Sequence, residues 1–279
     1  MSKNKRTNGF RTAHRRMTEG RGLGRGDAYT PWLKIHDVAS HGQANRVRSP
    51  INGRTCHMLS KLETDWFQAF HAVPGLVDIR EQLPLELEET REIASSLGIA
   101  HPTDPQTKEP CVATTDFVLT VKDGIRMIEM AFAIKPAAQL ASPRTLEKLE
   151  IERVYWSARK ISWRILTEKE LPVALVKNLS WLQPFYDLSH LSNLSPEELN
   201  RFRTAMEPDI MEGNLSLVEI TAACDDRFRL KPGHALSVAR HLIANHIWPV
   251  DLTVPIDLRK PIKVGSAMLV MGNKSSHLA

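Results

Sequence analysis

Two charged residues lie in apolar, strand-like stretches of the chain, where a solvated side chain would be unusual. Asp116 lies within the run 114–119 (TTDFVL), and Lys135 ends the run 130–135 (MAFAIK). Hydrolysis of a phosphodiester needs hard cations held by oxygen ligands, typically two ions about 3.5–4 Å apart, which activate water and stabilise the leaving oxygen. The two residue types suit that chemistry, provided that one rigid element brings the carboxylate and the amine together.

The two runs are joined by residues 122–124 (KDG), and Asp-Gly is a strong signal for a β-hairpin turn. If the chain folds back between the Asp and the Gly, Asp116 faces Ala131. Side chains alternate with a period of two along a strand, so Ala133 and Lys135 share this face. Lys135 then lies four positions beyond Ala131, and a bulge, the sheet twist or the long lysine side chain must close the remaining gap.

Two further acids are candidates for the same site. Residues 60–63 (SKLE) form a capping-box pattern that opens a predicted helix reaching about Ala72, and Glu63 lies in its first turn. Glu152 lies beside the apolar stripe of a second predicted helix over 144–160.

Each of the four candidates also has a purely structural interpretation. The capping box already explains Glu63, and Glu152 can be a solvated i,i+4 partner in a glutamate-rich helix. Asp116 can accept hydrogen bonds from a neighbouring turn, and Lys135, which precedes a proline, can be an exposed strand end.

The elements around these residues predict a mixed α/β domain over 29–171. Besides the hairpin and the two helices, the pattern indicates a strand over 76–83, an acidic helix ending near Gly98, a Pro-rich loop over 101–110 and a strand over 161–165. Beyond Pro172 the pattern changes to short helices over 173–182, 195–206, 216–225 and 232–244, followed by strand-like alternation over 250–258. Helices followed by a β wing are typical of a winged-helix module, predicted here for 172–279.

Positive charge is concentrated at the start of the chain. The formal net charge is +5, but residues 1–54 carry twelve Lys or Arg and three Asp or Glu. A basic segment on a mildly negative body is typical of a polyanion binder, which favours nucleic acid as the partner. We expect a flexible basic arm over 1–28, although a Gly-rich basic leader can equally be a solubilising tail. The candidate DNA-binding residues are Arg11, Arg15, Arg16, Arg46, Arg48 and Arg54.

Other classes of protein fit the sequence poorly. Three cysteines lie far apart without CxxC spacing, which argues against a disulfide framework or a zinc knuckle. The chain has no GxxxxGK[ST] phosphate loop, no HExxH zinc motif and no GxSxG nucleophile turn. No apolar run is long enough for a signal peptide or a membrane span, so we expect a soluble, cytoplasmic protein without a membrane partner, associated with the nucleoid when assembled on DNA.

The order of four motifs resembles the TnsA endonucleases of heteromeric, cut-and-paste transposons. The motifs are Leu-Ser-x-x-Glu at 59–63, Thr-x-Asp-Phe at 114–117, Ile-Lys at 134–135 and Leu-Glu-Ile-Glu-Arg-x-Tyr-Trp at 149–156. The similarity extends from about Tyr29 to the C-terminus. It implies a restriction-endonuclease-like PD-(D/E)xK core, with a central mixed sheet flanked by helices, followed by a mostly helical, winged-helix-like C-terminal domain.

The resemblance also implies an activity and its partners. It implies Mg²⁺-dependent cutting, with Mn²⁺ as a substitute, of the strand that ends 5′ at each end of the transposon DNA. A TnsB-type transposase and a TnsC-type ATPase regulator would act with it, the latter contacting the C-terminal domain. Carried over by residue, Glu63 and Asp116 would bind metal, Glu152 is a further metal candidate, and Lys135 would orient the attacking water or stabilise phosphate charge.

One departure from the family pattern affects the metal site. Nucleases with this core usually place Glu, or Gln in TnsA relatives, two residues before the lysine, and this chain has Ala133. A methyl group cannot bind a cation. Either the backbone carbonyl of Ile134 and another acid complete the coordination, or metal is held more weakly, or catalysis is impaired.

Three functions are therefore compatible with the sequence. The first is the metal-dependent endonuclease, and the second is a catalytically degenerate subunit that assembles a transposition complex, which Ala133 favours. The third is an RNase H-like transposase with a DDE triad, because 35 residues separate Asp116 from Glu152. The available first acids, Asp65 and Asp78, lie on a helix pattern and on an isolated strand, which disfavours the third.

Overall fold

The computed structural model of the chain describes residues 9–38, 43–186, 188 and 194–265. The first eight residues of the predicted arm and residues 266–279 of the predicted C-terminal domain lie outside the described residues. The chain divides into two compact units, Met1–Leu171 and Pro172–Ala279. Within the described ranges, no helix combines the length and the apolar character needed to cross a membrane.

The first unit is a mixed α/β structure with a central four-stranded sheet in the order β3-β4-β5-β6. Strands β3, β4 and β5 are antiparallel, whereas β5 and β6 are parallel and are joined through helix α4. Strands β1 and β2 form a separate antiparallel pair. The elements are α1 (Phe10–Thr18), β1 (Asn45–Arg48), β2 (Thr55–Met58), α2 (Lys61–Phe70), β3 (Leu76–Pro84), α3 (Leu87–Ser96), β4 (Thr114–Asp123), β5 (Arg126–Ile134), α4 (Pro143–Ala158) and β6 (Ser162–Leu166).

Helices cover both faces of the central sheet. Alternate residues of β4 and β5 point to opposite sides, so each strand contributes side chains to both contacts. On one face, Phe70 of α2 packs against Phe117 and Phe132, with ring centroids 5.4 and 5.1 Å apart. On the other face, Val118 and Ala131 pack with the aromatic side chains of α4 in a buried cluster. Parity alone does not assign the first residues of β4 to a face, because Thr115, with the parity of Phe117, donates its hydroxyl to Glu152 of α4.

The turn of the β4–β5 hairpin differs from the prediction by one residue. The tight loop consists of Gly124 and Ile125, because Asp123 pairs with Arg126. Gly124 has a φ of +59°, a left-handed conformation that glycine adopts without steric cost. The pairing register therefore shifts by two positions.

A shift of two positions preserves the faces of the strands and shortens the gap between acid and amine. The observed offset places Asp116 opposite Ala133 instead of Ala131. Lys135 consequently lies two positions beyond the partner of Asp116, not four. No bulge is needed, because a lysine side chain spans that separation.

The described part of the predicted flexible arm packs on the body of the first unit. Residues 9–28 include helix α1, and Arg16 and Arg21 are buried. The Nη1 atom of Arg21 lies 2.5 Å from Oδ2 of Asp37, and the backbone N–H of Gly26 donates to Asp78 at 3.1 Å. A count of charges along the sequence could not reveal this packing, because Asp37 and Asp78 are distant in sequence from the arm residues that they bind.

The second unit is helical, as predicted, but the predicted wing is not formed. Its helices are α5 (Val173–Leu182), α6 (Pro196–Glu212), α7 (Leu217–Phe228) and α8 (His234–Ala244). Residues 250–258 form no strand, and Val250 makes only an isolated bridge with Val264. The buried amide of Asn178 instead donates to the carbonyls of Leu252 and Val254, at 2.9 and 2.7 Å. A side chain from α5 thus takes hydrogen bonds that a partner strand would otherwise make.

Candidate active site

Asp116 and Lys135 form the centre of the candidate site. The Nζ atom of Lys135 lies 2.6 Å from Oδ2 of Asp116, and the backbone N–H of Ile134 donates to the same oxygen at 2.7 Å. Asp116 is buried, and the lysine side chain is partly exposed. Burial alone would lower the pKa of the Lys135 amine, but the adjacent Asp116 carboxylate raises it above its usual value. The amine is therefore held as a cation.

Glu63 lies in the first turn of α2, where it takes part in the helix cap and also faces the candidate site. Ser60 caps the helix, its Oγ accepting from the N–H of Glu63 at 3.1 Å. The Glu63 carboxylate accepts from the Ser60 hydroxyl at 3.0 Å and from the N–H of Leu59 at 2.9 Å. Burial, and then the negative charge of Asp116, raise the pKa of Glu63 to about 7. The capping role is real, but it leaves this acid facing Asp116 across the site.

Gln82 joins the two acids, and sequence reasoning missed it. Its Nε2 lies 3.2 Å from Oδ1 of Asp116 and 3.5 Å from Oε2 of Glu63. The hydroxyl of Thr114 donates to Oε1 of Gln82 at 3.0 Å. The sequence does not show which residue of β3 lies beside Asp116. A helix and a long loop separate β3 from β4, so their register cannot be predicted from local patterns.

Glu152, on α4, lines the same cleft from the opposite side. Its Oε1 accepts from the Thr115 hydroxyl at 2.8 Å and from the Trp163 indole N–H at 2.9 Å. Burial, and then the charge of Asp116, raise the pKa of Glu152 to about 7. Glu152 is therefore not a solvated i,i+4 partner, as the purely structural interpretation expected. It is buried and accepts hydrogen bonds from two donors.

These side chains line a cleft of about 420 Å³ in the first unit. The lining includes Glu63, Gln82, Thr114, Asp116, Lys135, Lys148 and Glu152. Among the described residues, no three His, Cys, Asp or Glu side chains are gathered closely enough to hold a metal ion by themselves. The carboxylate, amide and hydroxyl groups of this lining nevertheless offer oxygen ligands, which suit a hard cation such as Mg²⁺. Burial first, and the charge of Asp116 second, raise the pKa values of Glu63 and Glu152, so both acids are easier to protonate than exposed glutamates.

Ala133 occupies a buried position on this surface. The register places it beside Asp116 on β5, and its methyl group offers no oxygen to an ion. On the other side of β4, the residue beside Asp116 is Gln82 of β3, which carries an amide.

The six arginines predicted to bind DNA divide into two groups. Arg11, Arg15, Arg46 and Arg48 are exposed. Arg16 is buried and faces Asp37, with 3.8 Å between Nη2 and Oδ1. Arg54 has a side chain that is 8% exposed and pairs in a fork with the fully buried Glu81, with 2.8 Å between Nη1 and Oε1. Arg16 and Arg54 therefore stabilise the fold and are not free to contact phosphates.

Substitution of Arg54 should lower stability. We expect Arg54→Ala to reduce the free energy of unfolding by about 3–5 kcal/mol, because it leaves the Glu81 carboxylate buried without its partner. Urea unfolding measures the loss. Arg46→Ala, at an exposed position, is the matched control and should unfold as the wild type does. Equal stability of the two variants would contradict the buried-pair assignment.

Comparison with known proteins identifies the family of the chain. Residues 74–168 match the family model described as TnsA-like endonuclease N terminal, and residues 170–252 match the model described as TnsA endonuclease C terminal. The chain is 38% identical over 231 residues to "Transposon Tn7 transposition protein TnsA" of Escherichia coli, covering 83% of this chain and 82% of that relative. The chain belongs to the TnsA family of transposition endonucleases.

Proposed function

We propose that this chain is a Mg²⁺-dependent DNA endonuclease that cuts the 5′-ending strand at each end of a cut-and-paste transposon. The observation that supports this most directly is the convergence of Asp116, Lys135 and Glu63 in one cleft. The mixed sheet with helices on both faces is consistent with a restriction-endonuclease-like core. Family membership supports the nuclease activity, and the geometry supplies groups suited to phosphodiester hydrolysis.

The proposed ion site is built from oxygen atoms. Glu63 and Asp116 are its principal carboxylates, the backbone carbonyl of Ile134 lies beside Lys135 in the chain, and Glu152 lines the cleft on the α4 side. Mg²⁺ prefers such ligands, and Mn²⁺ accepts them as well. When bound, a divalent ion would lower the pKa of water and stabilise negative charge on the phosphate.

Lys135 acts on the reacting groups in this mechanism. Its cationic amine, fixed by Asp116, orients the attacking water through a hydrogen bond and stabilises the charge that develops on the phosphate oxygens. Burial of the surrounding groups strengthens both effects, because charges interact more strongly where water is excluded.

The exposed positive charges suggest how the chain contacts DNA, and its family suggests its protein partners. We propose that Arg11, Arg15, Arg46 and Arg48, all exposed, contact the phosphates of transposon-end DNA. The name of the Escherichia coli relative places that protein in Tn7 transposition. By analogy with its family, a TnsB-type transposase and a TnsC-type ATPase act with this chain, and the ATPase contacts the helical second unit.

Reconstituted cleavage tests the proposed function. With end DNA, both partner proteins and Mg²⁺, we expect 5′ cuts at the transposon ends. The Asp116→Ala, Lys135→Ala double variant should assemble on the same DNA but leave it uncut. Normal cutting by this variant would remove the proposal.

A binding-only assembly subunit is the second candidate, because Ala133 supplies no ligand where the family pattern has an amide or a carboxylate. It predicts that the wild-type chain joins the complex on end DNA without any 5′ cut. The same reconstitution therefore separates the two functions.

A further inference from the structure

Gln82 occupies a special position in the sheet. Its neighbours Glu81 and Leu83 pair with Phe117 and Thr115 of β4, so Gln82 lies opposite Asp116 in the register. On the other side of β4, the register places Ala133 opposite the same aspartate. A row across three strands thus carries an amide, a carboxylate and a methyl group.

The backbone at Gln82 is held in a conformation that glutamine rarely adopts. Its φ is +49°, within a strand, and the residue is 2% exposed. A left-handed residue of this kind costs of the order of 1 kcal/mol or more and persists only where the surrounding structure holds it. The carbonyl of Gln82 accepts from the N–H of Trp32 at 3.2 Å, which fixes the backbone locally.

The contacts of the side chain give the amide a direction. The Thr114 hydroxyl donates to the amide oxygen, so the NH₂ group points towards the two acids. One nitrogen then lies within reach of both Asp116 and Glu63. Two carboxylates that share a cleft repel each other, and a neutral donor between them offsets that repulsion without adding a charge that would exclude a cation.

We propose that Gln82 is a positioning residue of the nuclease site, which holds Glu63 and Asp116 in the arrangement that receives divalent ions. This role rests on the proposed function and adds to it a residue from β3. It supplies, from the opposite neighbouring strand, an amide in the row where Ala133 supplies none. The residue acts through the two acids and not on the substrate.

Mn²⁺ binding to the full chain, followed by electron paramagnetic resonance without DNA or partners, tests this role. Gln82→Gly removes the amide while keeping the backbone N–H, the carbonyl and a residue type suited to φ of +49°. We expect its Mn²⁺ affinity to fall about 10–100-fold, the usual loss when a group that orients a ligand is removed. Its thermal unfolding temperature records the separate cost of losing the buried amide, and the Mn²⁺ affinities are compared at a temperature where both proteins are folded.

Two controls accompany this variant. Lys160→Gly makes the same change at another left-handed position, φ +56°, which is exposed, and should bind Mn²⁺ as the wild type does. Gln82→Asn also tolerates left-handed backbone and leaves less empty volume, but its shorter amide cannot reach both acids, so it should lose affinity too.

The outcomes separate this role from the proposed function. Mn²⁺ binding that Asp116→Asn abolishes and both Gln82 variants leave at wild-type affinity would overturn the positioning role alone. Wild-type protein whose Mn²⁺ binding is absent, or is unaffected by Asp116→Asn, would overturn the ion site and the positioning role together. Loss of affinity in the Gln82 variants, with Lys160→Gly unaffected, supports the role.

Discussion

Lys135→Ala is expected to lower the rate of the proposed 5′ cleavage at transposon ends by about 10²–10³-fold, the usual loss when one preorganised group that stabilises transition-state charge is removed. The amine lies 2.6 Å from Asp116 and is held as a cation by it. The variant loses the ammonium group that pairs with Asp116, and this carboxylate keeps only its neutral hydrogen-bond donors beside two other acids. Cleavage rates in the reconstituted complex, at saturating Mg²⁺, measure the effect.

A control is needed because loss of any lysine could weaken DNA binding. Lys122→Ala removes an exposed lysine from the other end of the hairpin and should cut at the wild-type rate. Binding of Lys135→Ala to end DNA should remain within a few-fold of wild type, since a single phosphate contact is a small part of such an interface. A Lys135→Ala variant that cuts as fast as Lys122→Ala would remove the lysine from the mechanism.

Local patterns were sufficient to predict much of this site. The capping box set the start of α2, and the strand period placed Asp116 and Lys135 on one face. That assignment survived an error in the turn, because a register shift of two positions returns every side chain to the same face. The distance between acid and amine was less secure than the face, since it depends on which two residues form the loop.

Features that depend on distant pairing were not predictable. Gln82 lies in the site because of the register of β3 with β4. That register is set by packing between elements far apart in sequence. Arg16 and Arg54 were predicted to contact DNA, but both are buried and pair with Asp37 and Glu81. Residues 250–258 alternate like a strand, yet Asn178 takes their backbone hydrogen bonds. In each case a tertiary contact decided the outcome over local sequence preference.

The acids of the cleft also predict a dependence of stability on pH that a divalent ion should suppress. Glu63 and Glu152 have pKa values raised from 4.5 to about 7, first by burial and then by the charge of Asp116. Each therefore binds more protons in the folded than in the unfolded state between these values. By linkage, the free energy of unfolding falls as the pH rises from about 4.5 through 7.

We expect this loss to be on the order of 3 kcal/mol for Glu152 in the ion-free protein, from a displacement of about 2.5 pH units, and Glu63 to act in the same direction. Above pH 7 both groups are ionised and repel Asp116, so Mg²⁺ or Mn²⁺ that binds only the folded protein should restore stability there. Denaturant unfolding at pH 5.5 and pH 8, with and without the ion, measures both terms. The ion should stabilise the protein more at pH 8.

Glu152→Gln separates the acid from its hydrogen bonds. The amide oxygen can still accept from Thr115 and Trp163, but the group no longer ionises. The ion-free variant should therefore be more stable than wild type at pH 8, and by a smaller margin at pH 5.5, where ionisation of Glu152 in the unfolded chain has already begun to lower wild-type stability. Lower stability of the variant at pH 8 would mean that its carboxylate is stabilised by the fold, contrary to its raised pKa. Higher stability would mean that the cleft retains negative charge at a cost to folding, as a site that must attract cations requires.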